Sequence, residues 1–128
     1  RAARDWLVGF LKARVPSNLG APLASLPRVQ EAVGAIEEKL AANARLLRSA
    51  ARDTDEGRPP SNAEAGLLKL TVTETAIEVV ERALKLSGNH GVARANPLER
   101  HLRDVLCGRI HSPQEDTARL AAGRLALA

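Results

Sequence analysis

Apolar residues recur every three or four positions through most of the chain, which is the spacing of amphipathic α-helices. The first apolar stripe ends where Pro16 and Gly20 interrupt it. The second runs from about Ser25 to about Asp53 and predicts a helix on the order of 40 Å long. The third ends at Gly88, where a glycine suits a left-handed C-cap. Two long helices are therefore predicted to face each other across a short connection.

Three predicted helix starts carry capping signals. Ser61 is followed three residues later by a glutamate, so each side chain can bond to the backbone amide of the other residue. Asn96 and Ser112 each precede a proline, which is accepted at the first helical position, and a glutamate follows in both cases. These signals predict a short helix from about 97 to 108 and a last helix beginning at 113.

The composition agrees with a helical fold, because leucine and alanine dominate while the chain has one Trp, one Phe and no Tyr. With 128 residues, of which 45% are hydrophobic, the chain has the size of one domain with one core. We predict one all-α domain over residues 1–128, an antiparallel four-helix bundle with a short extra helix before the last helix. The first residues are already in the helical pattern and the last are apolar, so we expect both ends to be cut from a longer protein.

Charge and cysteine content narrow the classes of partner. The net charge is +4, but 19 basic residues are interspersed with 15 acidic ones. The lack of aromatic stacking platforms argues against single-stranded nucleic acid, although one exposed helix could still enter a major groove. Cys107 has no second cysteine with which to form a disulfide, and no stretch approaches the ~20 apolar residues of a membrane span. We expect a cytoplasmic protein without a nucleic-acid or membrane partner.

Two loops carry candidate chemistry. In "SGNHG", residues 87–91, two glycines flank Asn89 and His90, and such a turn lets a backbone approach a phosphate or a ring closely. His111 stands before the last helix with Asp116 five residues on, where a helix N-terminus favours a neutral imidazole that can act as a base. Both loops also have a purely structural interpretation as helix caps.

The helix from about 97 carries charged residues that can pair with one another. Glu99 is four residues from Arg103, and Arg100 is four from Asp104, so a salt-bridged face is expected there. The three histidines, residues 90, 101 and 111, fall on different elements, so the spacing predicts no metal site.

The order of these features resembles the C-terminal helical domain of the acyl-CoA dehydrogenase family. A stretch similar to the family's "GG.GY…P.ER..RDAR" joins the third long helix to the last, and an earlier stretch, Arg14 followed by "GAPLASLPRVQ", resembles its "R..FG.PL…..VQ" loop. The later stretch is matched at Gly88, Gly91, Pro97, Glu99, Arg100, Arg103 and Asp104.

The resemblance implies an FAD-dependent oxidoreductase with a small-molecule substrate, assembled as a homo-oligomer of two or four subunits. In such enzymes the positions matching Arg14 and residues 88–91 (Gly88, Asn89, His90 and Gly91) commonly touch the FAD of a neighbouring subunit. They are therefore candidate cofactor-binding residues.

The family's catalytic glutamate is missing from the place where the resemblance puts it. Where many members have "YEGT", this chain has His111 for the tyrosine, Ser112 for the glutamate and Gln114 for the threonine. Flavin-dependent monooxygenases of the same fold, such as dibenzothiophene monooxygenase, also lack that glutamate and use reduced FMN or FAD with oxygen. We therefore assign His111 and Asp116 as candidate catalytic residues.

Three interpretations remain open at this point: a monooxygenase, a dehydrogenase whose base lies elsewhere, and a non-enzymatic helical interaction module. The flavoprotein interpretations predict that the loop at residue 88 and the imidazole of His111 border one shared cleft.

Overall fold

The computed structural model describes residues 1–128, which form six α-helices and one short 3₁₀ helix, Leu23–Ser25. The α-helices are α1 (Ala2–Ala13), α2 (Pro27–Asp55), α3 (Asn62–Ser87), α4 (Asn89–Val92), α5 (Leu98–Ile110) and α6 (Glu115–Leu127). The all-α prediction is confirmed. The single turn α4, inside "SGNHG", and the 3₁₀ helix were not predicted. No helix combines the length and the apolar character that crossing a bilayer requires.

Contacts between the helices give their directions. On α2 and α3, Lys39 pairs with Glu78, and the Nδ2 of Asn43 donates to the carbonyl of Val72 at 3.0 Å. Because later positions on α2 meet earlier positions on α3, the two long helices are antiparallel, as predicted. The Lys39 ammonium lowers the pKa of the Glu78 carboxyl, through a hydrogen bond and through its charge.

The core cluster is built from residues of α1, α2, α3 and α5. The apolar residues of α5 fall at Leu98, Leu102 and Val105, and this stripe closes the bundle. In contrast α6, predicted as a bundle helix, leaves Leu120 and Leu125 exposed and packs outside, on α3. The core cluster comprises Ala3, Leu7, Leu11, Val29, Ile36, Val79, Val80, Ala83 and Leu98.

One of the three predicted caps is present. The Ser61 hydroxyl accepts a hydrogen bond from the amide of Glu64 at 3.2 Å, and α3 begins there. Asn96 does not cap α5, because its Nδ2 donates instead to the carbonyl of His90 at 2.8 Å. Ser112 does not cap α6, which begins two residues later than predicted, at Glu115. Both of these starts lack a side-chain cap.

Gly108 lets α5 approach α3 closely. A Cβ added at this glycine would lie 2.6 Å from Cγ2 of Thr73, well inside van der Waals contact. We expect Gly108→Ala to lower the free energy of unfolding by about 1–2 kcal/mol, because overpacking outweighs the gain in helix propensity of about 1 kcal/mol. Urea unfolding followed by circular dichroism measures this change.

A double variant separates this clash from other effects. The Cβ of Thr73 would lie 3.6 Å from the new methyl group, which is an ordinary contact, so Thr73→Ala removes the overlap. Gly108→Ala combined with Thr73→Ala should therefore be more stable than Gly108→Ala alone. Equal or lower stability of the double variant would contradict the close approach as the cause.

Candidate functional site

One end of the bundle, which we name the Arg14 pole, collects the loop after α1 and the turn 88–91. Arg14 is the C-cap of α1: its amide donates to the carbonyl of Phe10, and its carbonyl accepts from the amide of Leu23. The guanidinium is exposed and forms no salt bridge within the chain. It is therefore available to an anion from outside the chain.

The turn 88–91 lies beside the end of α1. The His90 ring is 5.1 Å from the Phe10 ring, centroid to centroid, and Phe10 is stacked in turn on Trp6 at 5.4 Å. Phe10 is one helical turn before Arg14, so the end of α1 and the turn lie at the same end of the bundle. This aromatic row was not predicted, because His90 is 80 residues from Phe10 in the chain and no local pattern links the two.

The four residues of the turn differ in their exposure to solvent and in the space around them. Gly88 ends α3 with φ 58° and ψ −138°, so its φ is positive but its ψ is not that of the predicted left-handed C-cap, and a Cβ there would meet open space. Asn89 and His90 are exposed. Gly91 is buried, and a Cβ would lie 2.3 Å from the Ser87 hydroxyl oxygen. Gly91 therefore packs closely against the end of α3.

A cationic groove lies at the same pole, between the start of α2 and the end of α3. It has a volume of about 270 Å³, and Arg28, Arg82 and Lys85 line it. None of the three forms a salt bridge within the chain. Together with Arg14, these side chains suit a ligand with phosphate groups.

The opposite end, which we name the His111 pole, holds the turn between α5 and α6. His111 is exposed, and its amide donates to the carbonyl of Cys107 as the C-cap of α5. The Lys69 ammonium, on α3, donates to the carbonyls of His111 at 2.7 Å and of Pro113 at 2.9 Å. Lys69 was not identified from the sequence, because a lysine in a helical pattern carries no sign of such a contact.

The two poles do not form one cleft, so the prediction of a shared hollow is wrong. Lys69, which binds the turn at His111, precedes Gly88 by 19 residues on the same continuous helix. At 1.5 Å per residue those positions are roughly 28 Å apart along the axis. The prediction failed because α5 runs back along α3 for 13 residues and carries the next turn toward the start of α3.

The carboxylates near His111 are engaged within α6. An Asp116 oxygen accepts a hydrogen bond from the amide of Thr117 at 2.7 Å, and Glu115 pairs with Arg119. His111 itself lies at the end of α5, four residues before α6 begins, so the predicted effect of a helix N-terminus on its imidazole does not apply.

On α5, the predicted pair of Glu99 and Arg103 is present, with Arg103 Nε 3.0 Å from Glu99 Oε2. This hydrogen bond and the charge of Glu99 raise the pKa of the Arg103 guanidinium. The predicted pair of Arg100 and Asp104 does not form a salt bridge. Of the two ion pairs predicted on this helix, one is therefore present.

Comparison with known proteins identifies the class of this fold. The family model of the acyl-CoA dehydrogenase C-terminal domain matches residues 1–115. YdbM of Bacillus subtilis (strain 168) is 36% identical over 120 residues, which cover 92% of this chain and 31% of that protein. The mitochondrial short-chain specific acyl-CoA dehydrogenase of Bos taurus is 32% identical over 126 residues, covering 98% of this chain and 30% of the relative.

Among solved structures, butyryl-CoA dehydrogenase from Megasphaera elsdenii has a TM-score of 0.88 at 24% identity, covering 99% of this chain and 32% of that chain. The fold is thus that of a flavoenzyme family's helical domain. The chain belongs to the acyl-CoA dehydrogenase family, as its C-terminal domain. It spans about a third of the length of the curated relatives it matches.

Proposed function

We propose that this chain is the C-terminal bundle of an FAD-dependent oxidoreductase acting on a short-chain acyl-CoA. The observation that carries the proposal is that the unpaired Arg14, the open backbone of Gly88 and a cationic groove lie at the same pole. The membership of the family supports FAD as the cofactor, and the names of the bovine and Megasphaera relatives support the substrate class.

The residues of the Arg14 pole fit the anionic part of FAD. Arg14 would donate to its phosphate oxygens, and the open face of Gly88 would let the backbone approach without a steric conflict. Lys85 lines the groove, and Asn89 and His90 lie on the exposed side of the turn. Bound FAD would supply the two-electron acceptor for the reaction.

In this proposal the two poles of one chain belong to different active sites of the oligomer. A separation of roughly 28 Å along α3 prevents the Arg14 pole and His111 from meeting around the same ring system. The Arg14 pole therefore binds the FAD of a neighbouring subunit, and the His111 pole borders the substrate pocket of its own subunit. This arrangement requires a homo-oligomer, a dimer or a tetramer.

The base of a dehydrogenase must come from outside the His111 turn. Ser112 stands at the glutamate position, and Glu115 and Asp116 bond within α6. We propose that a carboxylate elsewhere in the full-length protein removes the α-proton of the thioester. His111, exposed at the turn, would then orient the substrate or the leaving proton.

A monooxygenase is the second candidate, and the serine at the glutamate position, Ser112, supports it. Reaction of reduced flavin with oxygen needs a proton donor in a dry pocket, and it needs no base at an α-carbon. His111 could provide the proton donor. In this alternative His111 is the catalytic acid–base residue and Asp116 only shapes the start of α6.

Two assays of the full-length protein separate the candidates. The first supplies butanoyl-CoA with an artificial electron acceptor, and the second supplies reduced flavin and oxygen. We expect turnover in the first assay and none in the second. Turnover only in the second would replace the dehydrogenase by the monooxygenase, and a full-length protein that binds no flavin would leave the interaction module as the remaining interpretation.

A further inference from the structure

Lys69 joins the turn at the His111 pole to α3 through two hydrogen bonds. Its ammonium donates to the carbonyls of His111 and Pro113, which are 42 and 44 positions later in the chain. Those two carbonyls stand on either side of Ser112. The side chain of one α3 residue thus fixes the backbone both before and after the position where the family has its glutamate.

The lysine has no competing partner. No carboxylate lies within salt-bridge distance of its Nζ, and the side chain is half-buried. A partly buried ammonium is stable only when its donors find acceptors, and bonds from a charged donor are stronger than neutral ones. The two carbonyls are therefore the acceptors that hold the charge in place.

The turn has few other attachments. The amide of His111 bonds back into α5 and the carbonyl of Gln114 bonds forward into α6, but Ser112 makes no hydrogen bond within the chain. The Pro113 ring lies over Gly66 of α3, where an added Cβ would be 3.5 Å from its Cγ. Without Lys69, van der Waals packing of this proline is the main contact that remains between the turn and the bundle.

The turn forms one wall of an open groove. Ser112, Pro113 and Gln114 line it on one side and the start of α3 lines it on the other, around a volume of about 760 Å³. Any displacement of the two bound carbonyls would move this wall and the His111 side chain together.

We propose that Lys69 is the positioning residue of the His111 turn, holding His111 and Ser112 in the orientation that the reaction requires. The effect of Lys69 on the kinetics rests on the proposed function, whereas its effect on the backbone of the turn does not. A displacement of about 1 Å in a positioned group can cost up to ~100-fold in rate.

The test compares three variants of the full-length protein. Lys69→Met keeps the length of the side chain and removes the donors, and Lys69→Arg keeps a charged donor of different shape. Lys39→Met is the matched control, because Lys39 also binds α3 from a neighbouring element, through Glu78, and does not contact the turn. Hydrogen exchange of the peptide 106–118 reports the backbone, and steady-state kinetics with butanoyl-CoA report function.

We expect exchange within 106–118 to become about tenfold faster in Lys69→Met and to remain unchanged in Lys39→Met, with exchange in α2 unaffected in the former. The kcat should fall about tenfold while the KM stays within about twofold, and Lys69→Arg should recover part of the loss. Unchanged exchange in the peptide, or faster exchange throughout the protein, would overturn the positioning role.

The remaining outcomes separate this inference from the proposed function. Locally faster exchange with unchanged turnover would support Lys69 as the anchor of the turn and would show that the turn lies outside the reacting site. If the unaltered full-length protein turns over no acyl-CoA, the proposed substrate class fails, while the exchange result still decides the role of Lys69.

Discussion

Replacing Leu98 by alanine is expected to lower the free energy of unfolding by about 2–5 kcal/mol, a large fraction of the ~5–15 kcal/mol of a typical domain. Leu98 is fully buried, and it is the residue through which α5 enters the core cluster. Its Cδ2 would lie only 3.3 Å from a Cβ at Gly91, so it also supports the turn 88–91 from below. Truncation removes contacts to the bundle and to the turn at once.

Urea unfolding measures this effect with two probes. Circular dichroism reports the helices, and the fluorescence of Trp6, the single tryptophan, reports the aromatic row beside His90. Leu98→Met should cost less than about 1.5 kcal/mol, because it conserves volume. Leu120→Ala, at a side chain 54% exposed on α6, should change stability by less than ~0.5 kcal/mol. A loss at Leu98 no larger than the loss at Leu120 would contradict the placement of α5 in the core.

Local patterns were sufficient to predict the helices. The stripes of apolar residues predicted α1, α2 and α3, and Gly88 and Ser61 marked the two ends of α3. These features depend on neighbours within four residues, which a sequence displays directly. The motif around Pro97 was specific enough to indicate the family, although not which of the remaining helices completes the core.

The arrangement of the site depends on contacts that the local pattern does not contain. Asn96 and Ser112 both have the residue types of a cap, but Asn96 bonds to a carbonyl six residues away and Ser112 lies in a turn held by Lys69. The spacing of the two loops along the chain is short, yet α5 carries them to opposite ends of α3. Predicting which loops lie close together in space therefore requires the directions of the helices as well as the motifs.

The separation of the poles also gives the two loops different chemistry. The Arg14 pole has several cations without carboxylate partners and an open glycine, which suits binding of an anionic cofactor. The His111 pole has carboxylates already bonded within α6 and a turn fixed through its backbone, which suits orientation of a reacting group. Binding and catalytic variants should accordingly affect different measurements.

Replacing Arg14 by glutamine is expected to weaken FAD binding by the full-length protein about 10-fold to 100-fold. A hydrogen bond to a charged group contributes about 1.5–3 kcal/mol, and 1.4 kcal/mol corresponds to a tenfold change in Kd. Arg14 is exposed and has no salt bridge within the chain, so the substitution leaves no buried charge unpaired and should not disturb the fold. Titration of the apoprotein with FAD, followed by flavin fluorescence, gives the Kd.

Two further variants decide whether the effect is specific to this position. Arg48→Gln removes the same charge from an exposed face of α2 and should leave the Kd within about twofold. Arg14→Lys should retain part of the affinity, because a lysine supplies a point charge without the planar fork of donors. If Arg14→Gln binds FAD as tightly as Arg48→Gln, the Arg14 pole does not contact the cofactor. If both weaken binding equally, the net charge of the domain is the cause and no particular guanidinium is involved.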